Sequence, residues 1–354
     1  MAGCRTDAAR MLRSPPGHWR RLLLVLCMVA TAAGQGAARA TSTSGTLLVA
    51  NKGTRSLSVV DVAKGGQIAA IAEDAVTGHE VIASPDGRFA YVPIFGNSGV
   101  GKPGTDGQLI RVMDLTRNEI AATIDFGRGV RPHCAQIHPK TGLLYVTTEI
   151  ENSVTLIDPK SLEIIGSIPT GHPESHMLAI SHDGRRGYTA NVGSGTISVL
   201  DLEKRSLVTT IQAAARVQRV TVSPDDRWVV TADQTKLRLV VIDAKTSAVS
   251  ASIPLPGLGY GTAFTRDGRW LLVALPSLKQ LGFIDWANRR VVATVDVPKA
   301  PQSVLLEPGD ARAFVSCDSS AQIAVVDVAR RVVEKLIPVG AGADGLAWAV
   351  TPVP

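Results

Sequence analysis

Residues 175–211 read SHMLAISHDGRRGYTANVGSGTISVLDLEKRSLVTTI, and this stretch predicts four short β-strands. Its apolar and β-branched residues fall into four runs, SHMLAIS (175–181), GYTAN (187–191), TISVLD (196–201) and SLVTTI (206–211). Alternating side chains of this kind are typical of strands. The breaks between the runs contain Gly, Asp and Ser, which favour tight turns. The stretch therefore predicts one antiparallel, four-stranded unit.

The same unit recurs along the chain. Its third strand ends in aspartate seven times, at Asp61, Asp114, Asp158, Asp201, Asp243, Asp285 and Asp327. The spacings are 53, 44, 43, 42, 42 and 42 residues. Four-stranded repeats of about 40–45 residues are typical of β-propeller blades. We therefore predict an all-β chain that forms a single seven-bladed β-propeller of four-stranded antiparallel blades.

The two ends of the repeat region each contain part of one blade. The chain enters the pattern at a second strand, LLVAN (47–51), and leaves it after a first strand that contains GLAW (345–348). We therefore expect the seventh blade to take strands from both termini, because this closes the ring and removes an exposed sheet edge.

Several strands share one tetrapeptide pattern with a known family. The matching segments are LVAN (48–51), YVPI (91–94), YVTT (145–148), YTAN (188–191) and FVSC (314–317). With the preceding turns SPDGR, SHDGR, SPDDR and TRDGR, they resemble the Tyr-Val-Thr-Asn repeat of the YVTN-type β-propeller proteins over residues 45–350. The resemblance implies a propeller fold and relation to lactonase-like propellers and to the haem-bearing propellers of nitrite reductases. Fold alone does not choose among their functions.

The first 40 residues have the composition of an export signal. Arg20 and Arg21 precede an apolar run of twelve residues, 22–33, which is too short to span a bilayer as a helix. Small residues at Ala38 and Ala40 predict cleavage after Ala40, so that residues 1–40 are a signal peptide and residues 41–354 are the propeller domain. The alternative is a retained N-terminal anchor. Cleavage predicts a periplasmic or secreted protein without a membrane span.

Most of the net charge of +6 comes from this leader. Residues 1–40 contain six arginines and one acidic residue, and the rest of the chain has 31 basic and 30 acidic side chains. A net charge near +1 provides no field that would attract nucleic acid. After cleavage only Cys134 and Cys317 remain, which is not a disulfide framework. We expect a monomer that does not bind nucleic acid.

One position in each blade is polar in all seven repeats. It lies at the start of the innermost strand, where the central channel opens, and is occupied by His79, His133, His176, Gln218, Tyr260, Gln302 and Asp344. These are the candidate ligand-binding residues. Polar residues are also expected at such positions simply to solvate a water-filled channel, and that alternative stays open.

The histidines favour a site at this mouth. The chain after residue 40 has six histidines, none beyond His182, and four of them map to one side of the mouth: His79, His133, His172 and His176. Imidazole is a common metal ligand, so these four are the candidate ligands for a transition metal or a haem, although the chain has no C-x-x-C-H attachment motif. His138 and His182 fall at the opposite turns and are expected to be solvated. Lys52, Asp233 and Asp318 end second strands on the mouth face and could line the pocket.

Residues 95–108, FGNSGVGKPGTDGQ, form the one long insertion, which accounts for the spacing of 53 residues. The insertion contains five glycines and is either a floppy surface loop or a lid over the mouth.

The sequence contains neither G-x-S-x-G nor H-E-x-x-H. We therefore predict an exported propeller that binds a small molecule, a metal or a protein partner at the channel mouth, without assigning catalysis to it. A lactonase-like hydrolase and an interaction scaffold that uses the propeller rim are the alternatives.

Overall fold

The computed structural model describes residues 45–350, so the predicted signal peptide and its cleavage point lie outside the described residues. The chain begins with three strands, β1 (Gly45–Asn51), β2 (Ser56–Asp61) and β3 (Gly66–Ala72). Six blades of four consecutive strands follow, and the last strand, β28 (Ala343–Val350), comes after them. Within this part of the chain no helix is long and apolar enough to cross a membrane.

The six continuous blades are built in chain order. Blade 1 contains β4 to β7 (Ile82–Ala83, Phe89–Gly96, Asp106–Asp114, Glu119–Asp125). Blade 2 contains β8 to β11 (Pro132–Ile137, Leu144–Thr148, Ser153–Ile157, Ile164–Pro169). Blade 3 contains β12 to β15 (Ser175–Ile180, Arg186–Asn191, Thr196–Asp201, Ser206–Gln212).

The second half of the ring repeats this plan. Blade 4 contains β16 to β19 (Val220–Val222, Trp228–Ala232, Arg238–Asp243, Ala248–Pro254). Blade 5 contains β20 to β23 (Thr262–Phe264, Trp270–Leu275, Gln280–Asp285, Arg290–Asp296). Blade 6 contains β24 to β27 (Pro301–Leu306, Arg312–Cys317, Gln322–Asp327, Val332–Pro338), with a 3₁₀ helix at Asp318–Ser320.

The seventh blade has the strand order β28-β1-β2-β3, so the predicted closure by both termini is confirmed. β28 pairs antiparallel with β1, with Leu47 opposite Trp348 and Gly45 opposite Val350. All seven sheets are four-stranded and antiparallel, as the sequence predicts. The first strand of each blade lies nearest the axis, next to the first strands of its neighbours.

The repeated aspartates have a structural role. Each is the last residue of a third strand or, in the case of Asp158, the residue after it. Its carboxylate accepts hydrogen bonds from backbone N–H groups of the following turn, as Asp201 does from Lys204 at 2.9 Å. Asp61 and Asp327 do the same with Lys64 and Arg330. Asp side chains favour turns because they bond to the backbone two or three residues further on. This repeated signal therefore identifies the fold and says nothing about function.

The hydrophobic core lies between blades. Leu47 and Val49 of blade 7 are buried in one cluster with Phe314 and Val325 of blade 6. On its other side blade 7 packs Leu57 in a second cluster with residues of blade 1. The closing blade is thus buried against both neighbours, which fixes the positions of the seven inner strands around the channel.

Candidate functional site

The predicted mouth residues lie where each innermost strand begins. Four of them lie inside their strands: His133, His176, Gln302 and Asp344. The other three lie two or three residues before their strands begin: His79, Gln218 and Tyr260. His133, His176 and Asp344 are buried, with 2%, 4% and 4% exposure. The others are partly exposed. The ring is therefore not uniformly solvated, and its buried members are concentrated on blades 2, 3 and 7.

Three of the four candidate histidine ligands meet in space. The rings of His133 and His176 stack with 3.6 Å between their centroids and 29° between their planes. The ring of His79 meets His133 edge-on at 5.5 Å. Phe95, which is fully buried, contacts all three imidazoles at centroid distances between 4.9 and 5.8 Å. We call His79, His133 and His176 the histidine cluster.

The cluster does not have the geometry of a bare metal site. Within residues 45–350, no group of three or more His, Cys, Asp or Glu side chains is arranged to hold a metal ion. The rings of His133 and His176 stack face to face, whereas a bare metal ion needs ring nitrogens that point toward one common position. His172 is partly exposed, and its carbonyl accepts hydrogen bonds from the Thr170 and Ser175 side chains.

The imidazoles of the cluster are neutral at pH 7. Burial lowers the pKa of His133 well below its usual range and also lowers the pKa of His176. Burial likewise lowers the pKa of His79 to about 4. The Nδ1 atoms of His133 and His176 are both buried and have no hydrogen-bond partner. Buried polar atoms are normally paired, so each of these two nitrogens marks a place where a hydrogen-bond partner is missing.

An acidic side chain and an arginine flank His176. Glu149 Oε2 lies 3.7 Å from His176 Nδ1, and Glu149 Oε1 accepts a hydrogen bond from Arg131 Nη1 at 3.1 Å. Burial would raise the pKa of Glu149, but His176, the backbone N–H of Gly101 and Arg131 outweigh it and lower the pKa. Glu149 is therefore a buried carboxylate beside a neutral imidazole.

A chain of ion pairs crosses the channel next to the cluster. Arg219 of blade 4 contacts Glu80 of blade 1 and Asp344 of blade 7, both at 2.9 Å. Lys52 contacts Asp344 at 3.0 Å and Asp318 at 2.9 Å. In a ring of seven, blade 4 lies opposite the junction of blades 7 and 1, so Arg219 spans the axis. We call these five residues the channel network.

The channel network has two cations and three carboxyl groups. Burial raises the pKa of Glu80 to about 7, with Arg219 opposing the shift. Burial also disfavours the charged form of Asp344, but Arg219 and Lys52 outweigh this and lower its pKa. As the pH falls, Glu80 therefore takes up a proton before Asp344 does.

A cavity of about 280 Å³ lies on the other side of the channel network. Glu80 and Arg219 form part of its wall, together with Gln136, Thr262 and Ser303, and it extends toward His182 at the opposite turns. None of the three clustered histidines lines it. The network therefore stands between this cavity and the histidine-bearing mouth.

Two sequence expectations about polar residues were wrong. His138 was expected to be solvated, but it is 6% exposed because its Nε2 hydrogen-bonds the Gly184 carbonyl of the next blade at 2.7 Å. Asp233 was expected to line the pocket, but it is buried in its own hairpin and pairs with Arg238. His182, by contrast, is solvent-exposed with a side-chain exposure of 59%, as expected.

The sequence pattern did not reveal Arg219, which forms ion pairs across the channel. The signal was present one residue after the polar ring, where the seven blades have Glu80, Cys134, Met177, Arg219, Gly261, Ser303 and Gly345. Only two of these are charged, and they pair across the axis. Cys134 is buried as expected, and burial raises the pKa of its thiol to about 12, so it provides no thiolate.

The neutral histidines predict acid sensitivity. The pKa of His79 is lower in the folded chain than in the unfolded chain, so protons bind preferentially to the unfolded state below pH 6.5. We expect the free energy of unfolding to fall as pH drops from 6.5 toward 4. In His79→Gln the fall should be shallower by about 1 kcal/mol per pH unit. Urea unfolding at pH 7.5, 5.5 and 4.5 measures the free energy of unfolding of both proteins. The same dependence on pH in the wild type and in His79→Gln would contradict the prediction.

Comparison with known proteins gives partial matches to haem-related propellers. Residues 139–262 match the family model described as Cytochrome D1 heme domain. The middle of this chain is similar to that family. The matched segment covers blades 3 and 4, with most of blade 2, and contains His176 and Arg219, whereas His79 and His133 precede it.

Two curated proteins are similar over shorter stretches. Dihydro-heme d1 dehydrogenase of Pseudomonas aeruginosa is 29% identical over 112 residues, which is 31% of this chain and 22% of that protein. The 6-phosphogluconolactonase of Bacillus subtilis is 28% identical over 91 residues, which is 23% of this chain and 26% of that protein. The matches thus span about a quarter or less of the length of these relatives.

Solved structures share the propeller fold. Hydrazine synthase of Kuenenia stuttgartiensis superposes with a TM-score of 0.71 and 20% identity, covering 83% of this chain and 99% of that one. Dihydro-heme d1 dehydrogenase NirN in complex with DHE gives a TM-score of 0.64 and 13% identity, covering 86% of this chain and 75% of that one. At these identities the similarity is one of fold.

Proposed function

We propose that this chain is an exported propeller that binds a haem-type tetrapyrrole at the histidine-bearing mouth. The observation that carries the proposal is the cluster of three neutral imidazoles, with His133 and His176 buried and all three packed around Phe95. The match of residues 139–262 to the Cytochrome D1 heme domain family supports the same class of ligand. We favour a haem over a bare metal ion because a haem iron needs one protein imidazole and not three converging ones.

The imidazole side chains at the mouth suit the iron of such a group. His176 is the imidazole best placed to bind an iron, because Glu149 stands beside its Nδ1 and leaves Nε2 for a ligand. His133 stacks on His176 and restricts its rotation, and Phe95 provides an apolar wall. Bound iron would supply ligand-binding or electron-transfer chemistry, and the polarity of the surroundings would tune it.

The wider assignment follows from the sequence. We propose that residues 1–40 are removed on export, that residues 41–354 are the mature propeller of the periplasm or cell exterior, and that it acts as a monomer without nucleic acid. We also propose that it is a YVTN-type propeller, and the Tyr-Val-Thr-Asn pattern supports this assignment. The partner at the mouth is a small molecule in this proposal, and a protein bound at the mouth is the alternative.

Titration with iron(III) protoporphyrin IX tests the proposal. The protein from residue 41 onward should shift the Soret absorption of the porphyrin at one-to-one stoichiometry. At a hundredfold excess over the dissociation constant, binding should stabilise the fold by about 2.7 kcal/mol. Zn²⁺ alone should stabilise it much less. An unchanged Soret band together with an unchanged melting temperature would refute haem-type binding for this probe.

A lactonase-like hydrolase is the second candidate, since a 6-phosphogluconolactonase is among the curated relatives. In that case the neutral imidazoles would act as general bases. Hydrolysis of a sugar lactone by the purified protein, abolished in a variant that lacks His133 and His176, would favour this candidate over ligand binding alone.

A further inference from the structure

The loop that the insertion forms is fixed to the protein by two side chains. Residues 97–105, here called the mouth loop, connect β5 and β6. Arg131 donates hydrogen bonds to the Lys102 carbonyl and to Asp106 at the loop's end, both at 2.6 Å. The N–H of Gly101 donates to Glu149 Oε1 at 3.0 Å. The insertion was expected to be either a floppy surface loop or a lid over the mouth. These contacts do not agree with a floppy loop.

Glu149 contacts the loop with one oxygen and faces His176 with the other. Glu149 Oε2 and His176 Nδ1 are both buried, both lack a hydrogen-bond partner, and lie 3.7 Å apart. A carboxylate can only accept hydrogen bonds. The tautomer of His176 that satisfies both atoms therefore carries its proton on Nδ1, after a movement of less than 1 Å. That tautomer leaves the Nε2 electron pair free.

We propose that Glu149 is a positioning residue that anchors the mouth loop beside the histidine cluster and fixes the Nδ1-protonated tautomer of His176. One carboxylate thereby both anchors the mouth loop and orients the imidazole whose Nε2 faces a ligand. The inference deepens the proposed function and rests on it for the identity of the ligand, but its two structural claims concern the unliganded protein.

The first test uses the unliganded protein and the variant Glu149→Gln. Glutamine has nearly the same volume, but it replaces a charged acceptor by one neutral acceptor and one donor. The amide can still accept from Gly101 only if its NH₂ group faces His176 Nδ1, which requires the other tautomer. Long-range ¹H–¹⁵N correlation spectra at pH 7.5 should therefore show Nδ1–H for His176 in the wild type and Nε2–H in Glu149→Gln.

Hydrogen exchange tests the second claim in the same samples. Peptides that contain residues 97–105 should exchange about tenfold faster in Glu149→Gln, because hydrogen bonds to charged acceptors are the stronger ones. Glu151→Gln is the matched control: it removes a carboxylate from the same turn, where Glu151 pairs with Arg128 and does not contact the loop. The control should leave both the tautomer and the exchange rates unchanged.

The outcomes separate this inference from the proposed function. An Nε2–H tautomer in the wild type, or loop exchange that is equal in Glu149→Gln and Glu151→Gln, overturns the positioning role. Dissociation of iron(III) protoporphyrin IX about tenfold faster from Glu149→Gln than from Glu151→Gln supports it. If the wild type does not bind this porphyrin, the proposed function fails, while the tautomer and exchange data still decide the role of Glu149.

Discussion

Replacing His176 by glutamine is expected to weaken binding of iron(III) protoporphyrin IX about 100-fold, equivalent to about 2.7 kcal/mol. His176 is buried, neutral at pH 7 and oriented by Glu149, so its loss removes the proposed iron ligand. His133→Gln should cost about tenfold, because His133 restricts the ring of His176 without binding the iron itself. Absorption titrations of the variants at pH 7.5 give these dissociation constants.

The matched control for these variants is His182→Gln. His182 lies at the opposite end of the channel, where its exposed ring pairs with Asp226. The His182→Gln variant should therefore bind the porphyrin as tightly as the wild type does. Circular dichroism establishes that each variant is folded before its affinity is compared. If His182→Gln weakens binding as much as His176→Gln does, the histidine cluster is a channel lining and not the site.

Replacing Arg219 by methionine is expected to destabilise the propeller by about 3–5 kcal/mol, because removal of one partner leaves the others as buried, unpaired charges. Arg219 is 8% exposed and is the only cation that reaches Glu80 among the ion pairs of the described residues. For a domain of this size the melting temperature should fall by roughly 10 °C. Thermal melting and urea unfolding at pH 7.5 measure the change.

Arg312→Met serves as the control for Arg219→Met. Arg312 pairs with Glu307 and Glu334, but its side chain is 40% exposed, and exposed ion pairs contribute less than about 1 kcal/mol. Adding Glu80→Gln to Arg219→Met should restore part of the loss, since it removes one of the stranded carboxylates. Equal stability of Arg219→Met and Arg312→Met would show that the channel network contributes little to the fold.

The sequence predicted the fold in detail because the repeat signal comes from local chemistry. Turn aspartates such as Asp201 and the alternation of apolar residues act within a single blade, so each blade specifies its own hairpins. In blade 3 the predicted third strand, 196–201, has the observed bounds, and the other three differ by one residue at most at each end. Closure by the terminal strand followed from the order of strands alone.

The candidate site was only half predictable, because its residues meet across the ring. Equivalent positions on consecutive blades brought His79, His133 and His176 together as expected. The pairing of Arg219 with Glu80 depends on which blades face each other across the axis, and a pattern within one repeat contains no such information. The burial of His138 likewise depends on a carbonyl of the next blade.

The most direct measurement is the chromophore content of the protein purified from its native compartment. Absorption spectroscopy of the intact protein, followed by acid extraction and mass spectrometry, identifies and counts any tetrapyrrole that it carries. We expect about one iron tetrapyrrole per chain, released from His176→Gln during purification and retained by His182→Gln. A colourless native protein with no extractable tetrapyrrole, which also fails to bind added iron(III) protoporphyrin IX, would contradict it.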